Sequence, residues 1–235
     1  MTFYLIGTGL NSESITMEAI KLVRKCKKVY LENYTVDFPY PKKQLERKVN
    51  KKIIELKREE VESKKFIDYC DKEDVALLVY GDALSATTHS ELILSCKKQD
   101  IPFKIIHNAS VLTAIAETGL QLYKFGKTAS MPTWKDNWKP DSFTELIKQN
   151  LSIDAHTLLL VDIGLPMERA KHQLTESFKN QKMKTEKIVV CSYLGIESEI
   201  IYDKIENLPN KIKSPYCFII PSKLHFHEEE FLKNI

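Results

Sequence analysis

The chain has 235 residues, of which 43% are hydrophobic and 29% charged, with a net charge of +3. This length suffices for one large domain or two small ones, and the composition excludes a fibrous or intrinsically disordered protein. The small positive charge gives no strong indication of nucleic-acid binding, and no apolar run approaches the roughly 18 residues of a membrane span. The five cysteines form no C-x-x-C pair and the first residues lack a signal-peptide pattern, so we expect a cytoplasmic protein with reduced thiols.

Strand-like apolar runs alternate with amphipathic segments along the first half of the chain. FYLIG precedes a helix that Thr16 opens, KVYLE and KIIEL flank a charged helical stretch, and VALLVY precedes another helix. Thr88 and Glu91 match a capping box at the start of that helix. FKII then leads into a helix that begins near Asn108 or Ser110. The alternation predicts a parallel sheet covered by helices on both faces.

The stretch from Gly119 to Asn150 interrupts this pattern with an aromatic and proline-rich segment. The alternation resumes with HTLLLVDI, a helix from about Pro166, and the runs KIVVCSYLG, EIIYDKI and SPYCFIIP. We therefore predict two α/β domains, at residues 1–120 and 121–235.

Three strand-like runs of the first half end in residues that suit ligand binding. The segments are GTGL at 7–10, GDALS at 81–85 and HNASV at 107–111. Glycines allow a ligand to approach the backbone, Asp82 offers two acceptor oxygens, and serine hydroxyls can donate. Ligands of open parallel sheets bind beyond the carboxyl ends of the strands, so the three segments could line one cleft. Ordinary β–α turns also favour these residue types, and that alternative stays open.

A dinucleotide site is a second interpretation of the first segment. GTGLNS begins like G-x-G-x-x-G, but Ser12 stands where the third glycine belongs. Glu32, at the end of KVYLE, could bind a ribose as the acidic residue of such a site does. This hypothesis of a dinucleotide-dependent oxidoreductase leaves GDALSATTH without a role.

Longer blocks of the sequence resemble a known family. YLIGTGL, VYGDALSATTHSEL, HNASVLTAIAETGLQLYKFGKT and KLHF are similar to the diphthine synthase family, a branch of the tetrapyrrole-methylase-like methyltransferases. The resemblance runs from Phe3 to about Ile163 and returns near the C-terminus. It implies a homodimer whose two α/β domains, of the tetrapyrrole methylase type, hold S-adenosyl-methionine in the interdomain cleft. The implied reaction is repeated methylation of the amino-carboxypropyl histidine of elongation factor 2, in diphthamide biosynthesis.

The resemblance also implies a set of cofactor-binding residues. In the first domain these are Leu10, Asp82, Ser85, Ser110 and Val111; in the second they are Val161, Leu194 and His225. The chain departs from the family pattern at Ala83, where G-D-P is usual, and this indicates a less rigid loop. VDIGLP and CSYLG likewise replace L-D-I-K-like and L-A-R-V-G-like stretches.

The sequence shows no catalytic triad, H-E-x-x-H motif or paired-cysteine site. Methyl transfer from an activated sulfonium depends mainly on alignment and exclusion of water, so an acid–base dyad is not required. His107 and His89 are candidate proton acceptors, each more typical of a structural histidine, and the catalytic residue stays unassigned.

His225 and His227 precede Glu228 to Glu230, which suit the first turn of a final helix better than a metal site. A tetrapyrrole or ribosomal RNA methyltransferase and a catalytically silent binding module are the remaining alternatives.

Overall fold

The structure is a computed structural model that describes residues 1–184 and 187–235. The chain divides into two compact units, the N-terminal unit Met1–Thr113 and the C-terminal unit Ala114–Ile235. The domain boundary expected from the sequence lay between residues 120 and 121. Within the described ranges, none of the helices combines the length and apolar character that crossing a bilayer needs.

The N-terminal unit is built on a five-stranded sheet in the order β3-β2-β4-β1-β5. All of its strand pairs are parallel, as predicted. Its strands are β1 (Phe3–Gly7), β2 (Lys28–Glu32), β3 (Ile54–Leu56), β4 (Val75–Val79) and β5 (Phe103–Ile106). Its helices are α1 (Met17–Lys25), α2 (Lys42–Val49), α3 (Arg58–Ser63) and α4 (Ser90–Lys98), while the one-turn α5 (Val111–Ala114) crosses the boundary between the units. A 3-10 helix spans Lys65–Asp71.

Apolar cores lie on both faces of this sheet, because successive side chains of a strand point to opposite faces. Leu77 of β4 belongs to the core that contains Leu92 of α4. The next residue, Leu78, belongs to the core that contains Ile20 of α1 and Leu45 of α2. Every residue of β4 is buried, which accounts for its continuous apolar sequence. The predicted cover of helices on both faces is confirmed.

The helix starts agree with the sequence analysis at one place and differ at another. Thr16 caps α1, and its side chain accepts from the Ala19 amide at 3.1 Å. The predicted capping box at Thr88 and Glu91 is wrong, because the cap of α4 is His89. The Thr88 carbonyl accepts from the Glu91 amide at 3.0 Å, and the Glu91 carboxylate pairs with Lys64.

The C-terminal unit contains a second five-stranded sheet in the order β6-β7-β10-β8-β9. Its strands are β6 (Ala129–Met131), β7 (Thr157–Val161), β8 (Ile188–Ser192), β9 (Glu199–Asp203) and β10 (Tyr216–Ile220). Its helices are α6 (Phe143–Leu151), α7 (Met167–Asn180) and α8 (Phe226–Lys233), with 3-10 helices at Ile115–Thr118, Leu122–Lys124 and Ile205–Asn207. β6 pairs with β7 in parallel, and the other three pairs are antiparallel. The second unit is therefore α/β as predicted, with a mixed sheet.

Candidate functional site

The three segments singled out in the N-terminal unit meet at one edge of its sheet. They follow β4, β1 and β5, which are neighbours in that order. Gly9 and Gly81 exchange two backbone hydrogen bonds of 3.0 Å each, which join the first two segments. A Cβ atom on Gly7 would lie 2.6 Å from the Gly81 carbonyl oxygen, so this approach requires glycine. The backbones of the two segments are in direct contact.

The carboxylate of Asp82 links the second segment to the third. Its Oδ1 accepts from the Leu84 amide at 3.0 Å and from the Ser85 hydroxyl at 3.3 Å. Its Oδ2 lies 2.8 Å from Nδ1 of His107 and accepts from the Asn108 amide at 3.0 Å. One buried side chain thus links the ends of β4 and β5, the two strands that flank β1 in the sheet.

The surroundings of Asp82 favour its ionised form. Burial raises the pKa of this carboxyl, but the amides of Leu84 and Asn108 and the ring of His107 outweigh burial and lower it. Asp82 is 7% exposed, whereas the side chain of His107 is 68% exposed. The carboxylate of Asp82 is therefore largely shielded from solvent, whereas its partner His107 is largely exposed.

Asn108 and Tyr80 fix the first segment against the other two. The Asn108 side-chain amide donates to the carbonyls of Gly7, at 3.2 Å, and Ser14, at 3.0 Å. The Tyr80 hydroxyl donates to the Leu10 carbonyl at 2.9 Å. All three strand ends are thus joined by Asp82 and Asn108, which lie within the selected segments, and by Tyr80, which immediately precedes the second one.

The five cofactor residues expected in this unit all lie on these segments. Leu10 and Ser110 are buried, and Ser85 and Val111 are half-buried. The Ser110 amide donates to the Thr113 hydroxyl at 3.2 Å, but the Ser110 hydroxyl makes no hydrogen bond within the described ranges. The arrangement brings a carboxylate, a free hydroxyl and three closely packed strand ends to one place. It can bind a ligand that has both hydroxyl and apolar groups.

The three residues expected in the C-terminal unit lie at or after the ends of three different strands. Val161 ends β7, and Leu194 follows β8 by two residues. β7 and β8 are both antiparallel to β10, so their carboxyl ends lie at the same edge of the sheet. His225 follows β10, whose last residue Ile220 pairs with Thr157 at the start of β7. β10 therefore ends at the opposite edge from β7 and β8, and five further residues lead from its end to His225.

Comparison with known proteins identifies the family. Residues 2–209 match the family model described as Tetrapyrrole (Corrin/Porphyrin) Methylases. The chain belongs to this family. It is 49% identical over 164 residues to the diphthine methyl ester synthase of Saccharomyces cerevisiae, a match that covers 68% of this chain and 55% of that protein.

A longer match joins it to the human diphthine methyl ester synthase, 39% identical over 211 residues, with 80% of this chain and 74% of the human protein covered. A crystal structure of diphthine synthase superimposes with a TM-score of 0.91 at 31% identity, covering 100% of this chain and 95% of that one. The sequence-based recognition is therefore confirmed, and with it the tetrapyrrole methylase fold.

Membership of the methylase family argues against the hypothesis of a dinucleotide-dependent oxidoreductase. The structure shows why Glu32 and GTGLNS do not form a dinucleotide site. Glu32 is 1% exposed and accepts a hydrogen bond from the Thr35 hydroxyl, so its carboxylate does not face a ligand. Burial raises the pKa of Glu32. In addition, α1 begins at Met17, well after GTGLNS, whereas the dinucleotide motif opens its helix directly.

Two side chains fix the loop at Ala83, the position where the resemblance led us to expect proline. The Ala83 carbonyl accepts from the Thr87 hydroxyl at 2.9 Å, and Nδ1 of His89 lies 3.1 Å from the same oxygen. Ala83 itself is buried in the core. Because a carbonyl can only accept, the proton of His89 lies on Nδ1, and this histidine supports the loop from inside. Burial also lowers the pKa of His89.

Sequence reasoning missed one residue of the C-terminal unit, Glu228. It lies in the first turn of α8 as expected, but it is fully buried and accepts four hydrogen bonds. Its position three residues after the helix cap His225 is the only local signal, since Glu at this position completes a capping box. No group of three or more His, Cys, Asp or Glu side chains in residues 1–184 and 187–235 is arranged to hold a metal ion.

Proposed function

We propose that this methylase uses S-adenosyl-methionine to methylate the amino-carboxypropyl histidine of elongation factor 2, the diphthine methyl ester step of diphthamide biosynthesis. Its similarity to the yeast and human proteins of that name supports the reaction. The observation that carries the site is the ionised Asp82 carboxylate where three strand ends meet. A tetrapyrrole or ribosomal RNA substrate has no comparable support among these relatives.

The residues of the N-terminal unit fit the methyl donor chemically. Gly7 and Gly9 have no room for a Cβ atom against Gly81 and Ser14, so these glycines let the strand ends pack closely together. Ser110 offers a hydroxyl, and Asp82 offers carboxylate oxygens to ligand hydroxyl or ammonium groups. Since His107 is the exposed partner of Asp82, we expect a ligand group to replace it there. Leu10, Ser85 and Val111 complete the proposed set in this unit, and Val161, Leu194 and His225 are proposed from the other.

The cofactor, when bound, supplies an activated sulfonium methyl. The chain then has to bind and orient the reactants, which is where most of the acceleration of such a transfer arises. Asp82 and the bonds that hold it provide a rigid, charged contact at the strand ends. Of the two histidines considered as proton acceptors, His89 is 2% exposed and supports Ala83 from within. His107 is the one that a substrate amine can reach.

The decisive experiment mixes the purified protein, S-adenosyl-methionine and elongation factor 2 that carries the unmethylated amino-carboxypropyl histidine. Mass spectrometry of the modified peptide counts the methyl groups gained. We expect stepwise gains on the amine and one further gain on the carboxylate, as the name of the relatives indicates. No gain by a protein that binds the cofactor would support the silent-module alternative.

A substitution tests the site itself. Asp82→Ala removes the charged acceptors and is expected to weaken S-adenosyl-methionine binding about tenfold or more, measured by calorimetry. Asp68→Ala, an exposed aspartate of the same unit, is the matched control and should leave the affinity unchanged. Equal affinities of the two variants would remove Asp82 from the site.

The proposal also includes a homodimer in the cytoplasm, without membrane or direct nucleic-acid binding. The homodimer follows from the family resemblance, and light scattering of the purified protein tests it. The five cysteines are free and buried, which suits a reducing compartment.

A further inference from the structure

The carboxylate of Glu228 is the centre of a buried polar cluster in the C-terminal unit. Oε1 accepts from the Gln121 amide at 2.9 Å and lies 3.1 Å from Nε2 of His156. Oε2 accepts from the His225 amide at 2.7 Å and from the Lys124 ammonium at 2.5 Å. All four partners of this carboxylate are donors, two of them backbone amides.

The hydrogen bonds of His156 determine its tautomer. Nδ1 of the ring accepts from the Ser222 amide at 2.9 Å, so Nδ1 carries no proton. The proton of the neutral ring is therefore on Nε2, where it is donated to Glu228. Burial lowers the pKa of His156 despite the nearby carboxylate, in agreement with a neutral ring.

The cluster fixes three backbone groups in the short segment 222–225, which precedes α8. The Ser222 amide is bound by His156, and the Lys223 carbonyl accepts from the Lys124 ammonium at 2.9 Å. The His225 amide is bound by Glu228 itself. A loop segment with three specific backbone bonds has a defined backbone position, and this fixes the point from which the side chain of His225 projects.

We propose that Glu228 is a positioning residue that, together with Lys124 and His156, holds the segment 222–225 so that His225 is presented to the methyl donor. This inference rests on the proposed function, in which His225 contacts that donor. The proposal also assigns a structural role to the GLQLYK block, since its residues Gln121 and Lys124 are two of the donors to Glu228.

A glutamine cannot replace this glutamate in either orientation of its amide. One orientation places the NH2 group against the His225 amide and the Lys124 ammonium. The other places it against the Gln121 amide and Nε2 of His156, whose second nitrogen is already committed to Ser222. Two donors face another donor in each case, so the substitution disrupts the cluster without changing the shape of the side chain.

The experiment compares wild type with Glu228→Gln and with Leu174→Ala. Leu174 is buried in the core of the same unit, so its truncation destabilises that unit without touching the cluster. Hydrogen–deuterium exchange reports the protection of the amides at 222–225, and calorimetry reports the affinity for S-adenosyl-methionine at a temperature where all three proteins are folded. We expect Glu228→Gln alone to lose that protection and to bind the cofactor about tenfold more weakly.

The outcomes separate this inference from the proposed function. If wild type binds the cofactor, and Glu228→Gln and Leu174→Ala bind it with equal affinity, the positioning role is wrong. The proposed function then remains intact. Unchanged protection of the amides at 222–225 in Glu228→Gln would also contradict the positioning role. Wild type that does not bind the cofactor overturns the proposed function, and the positioning role with it. If Glu228→Gln does not fold, Lys124→Met with the same two measurements replaces it, because that change removes one donor and keeps the carboxylate.

Discussion

Asp82 in the N-terminal unit and Glu228 in the C-terminal unit have almost the same hydrogen-bond partners. Each carboxylate accepts from two backbone amides and contacts a histidine. Their surroundings differ, because His107 beside Asp82 is largely exposed, whereas His156 beside Glu228 is fully buried. Glu228 also has a cationic partner, Lys124. The comparison shows that two carboxylates with similar hydrogen bonds can differ in the exposure of the histidine that each contacts.

The energetic consequences of that difference are large. Removing one partner of a buried ion pair leaves an uncompensated charge in a poorly polarisable interior, which costs several kcal/mol. Removing an exposed partner costs little, because water replaces it. The following predictions remove or titrate one group at a time and compare buried groups with exposed ones.

The largest effect is expected for Glu228→Ala. This change leaves Lys124 and three other donors without their acceptor, and we expect a loss of about 3–5 kcal/mol in the free energy of unfolding. Urea denaturation measures it. Glu230→Ala, an exposed glutamate of the same helix, is the control and should change the stability by less than about 0.5 kcal/mol. Similar losses in the two variants would show that Glu228 is no anchor.

Acid should weaken the same anchor. Burial raises the pKa of Glu228, but the His225 amide, Lys124, the Gln121 amide and His156 outweigh burial and lower its pKa from 4.5 to about 2. Because the folded-state pKa is the lower one, this stabilisation is present above pH 4.5 and is lost as the pH falls toward 2. The difference in stability between wild type and Glu228→Gln should therefore shrink by about 3 kcal/mol between pH 7 and pH 2. A difference that does not vary with pH would contradict the ionised anchor.

The smallest effect is expected at the exposed histidine. His107→Ala should change the free energy of unfolding by less than about 1 kcal/mol, since its ring faces water. His156→Ala is the matched change in the other cluster and should cost about 3 kcal/mol, because it leaves the buried Ser222 amide unpaired and removes one of the two donors to Oε1 of Glu228. Denaturation of both variants under the same conditions tests the contrast. Equal losses would mean that exposure does not distinguish the two carboxylates.

The sequence was sufficient to predict the first sheet, and less so the second. In the N-terminal unit, strands and helices alternate along the chain, so local patterns also describe the spatial arrangement. In the C-terminal unit, β8 and β9 follow each other without a helix, and β10 inserts between β7 and β8. Apolar runs alone do not reveal such an insertion, because buried parallel and antiparallel strands have similar compositions.

Asp82 and Glu228 also differ in how well the sequence alone could predict their importance. Asp82 could be selected because it directly follows a buried strand, a position that is informative in any open parallel sheet. The importance of Glu228 depends on Gln121 and Lys124, which are 107 and 104 residues away along the chain. In sequence it is one of three consecutive glutamates, and a helix start favours all three. Only the fold shows which of them is buried.

The central position of β10 has a consequence for the order of events during synthesis. The sheet of the N-terminal unit has all of its strands once Ile106 has left the ribosome. The second sheet lacks its middle strand until residues 216–220 emerge. Until then, the edges of β7 and β8 that pair with β10 stay unpaired. Exposed strand edges invite pairing with other chains. We therefore expect a nascent chain stalled before Tyr216 to have a folded first half and to depend on chaperones for the rest.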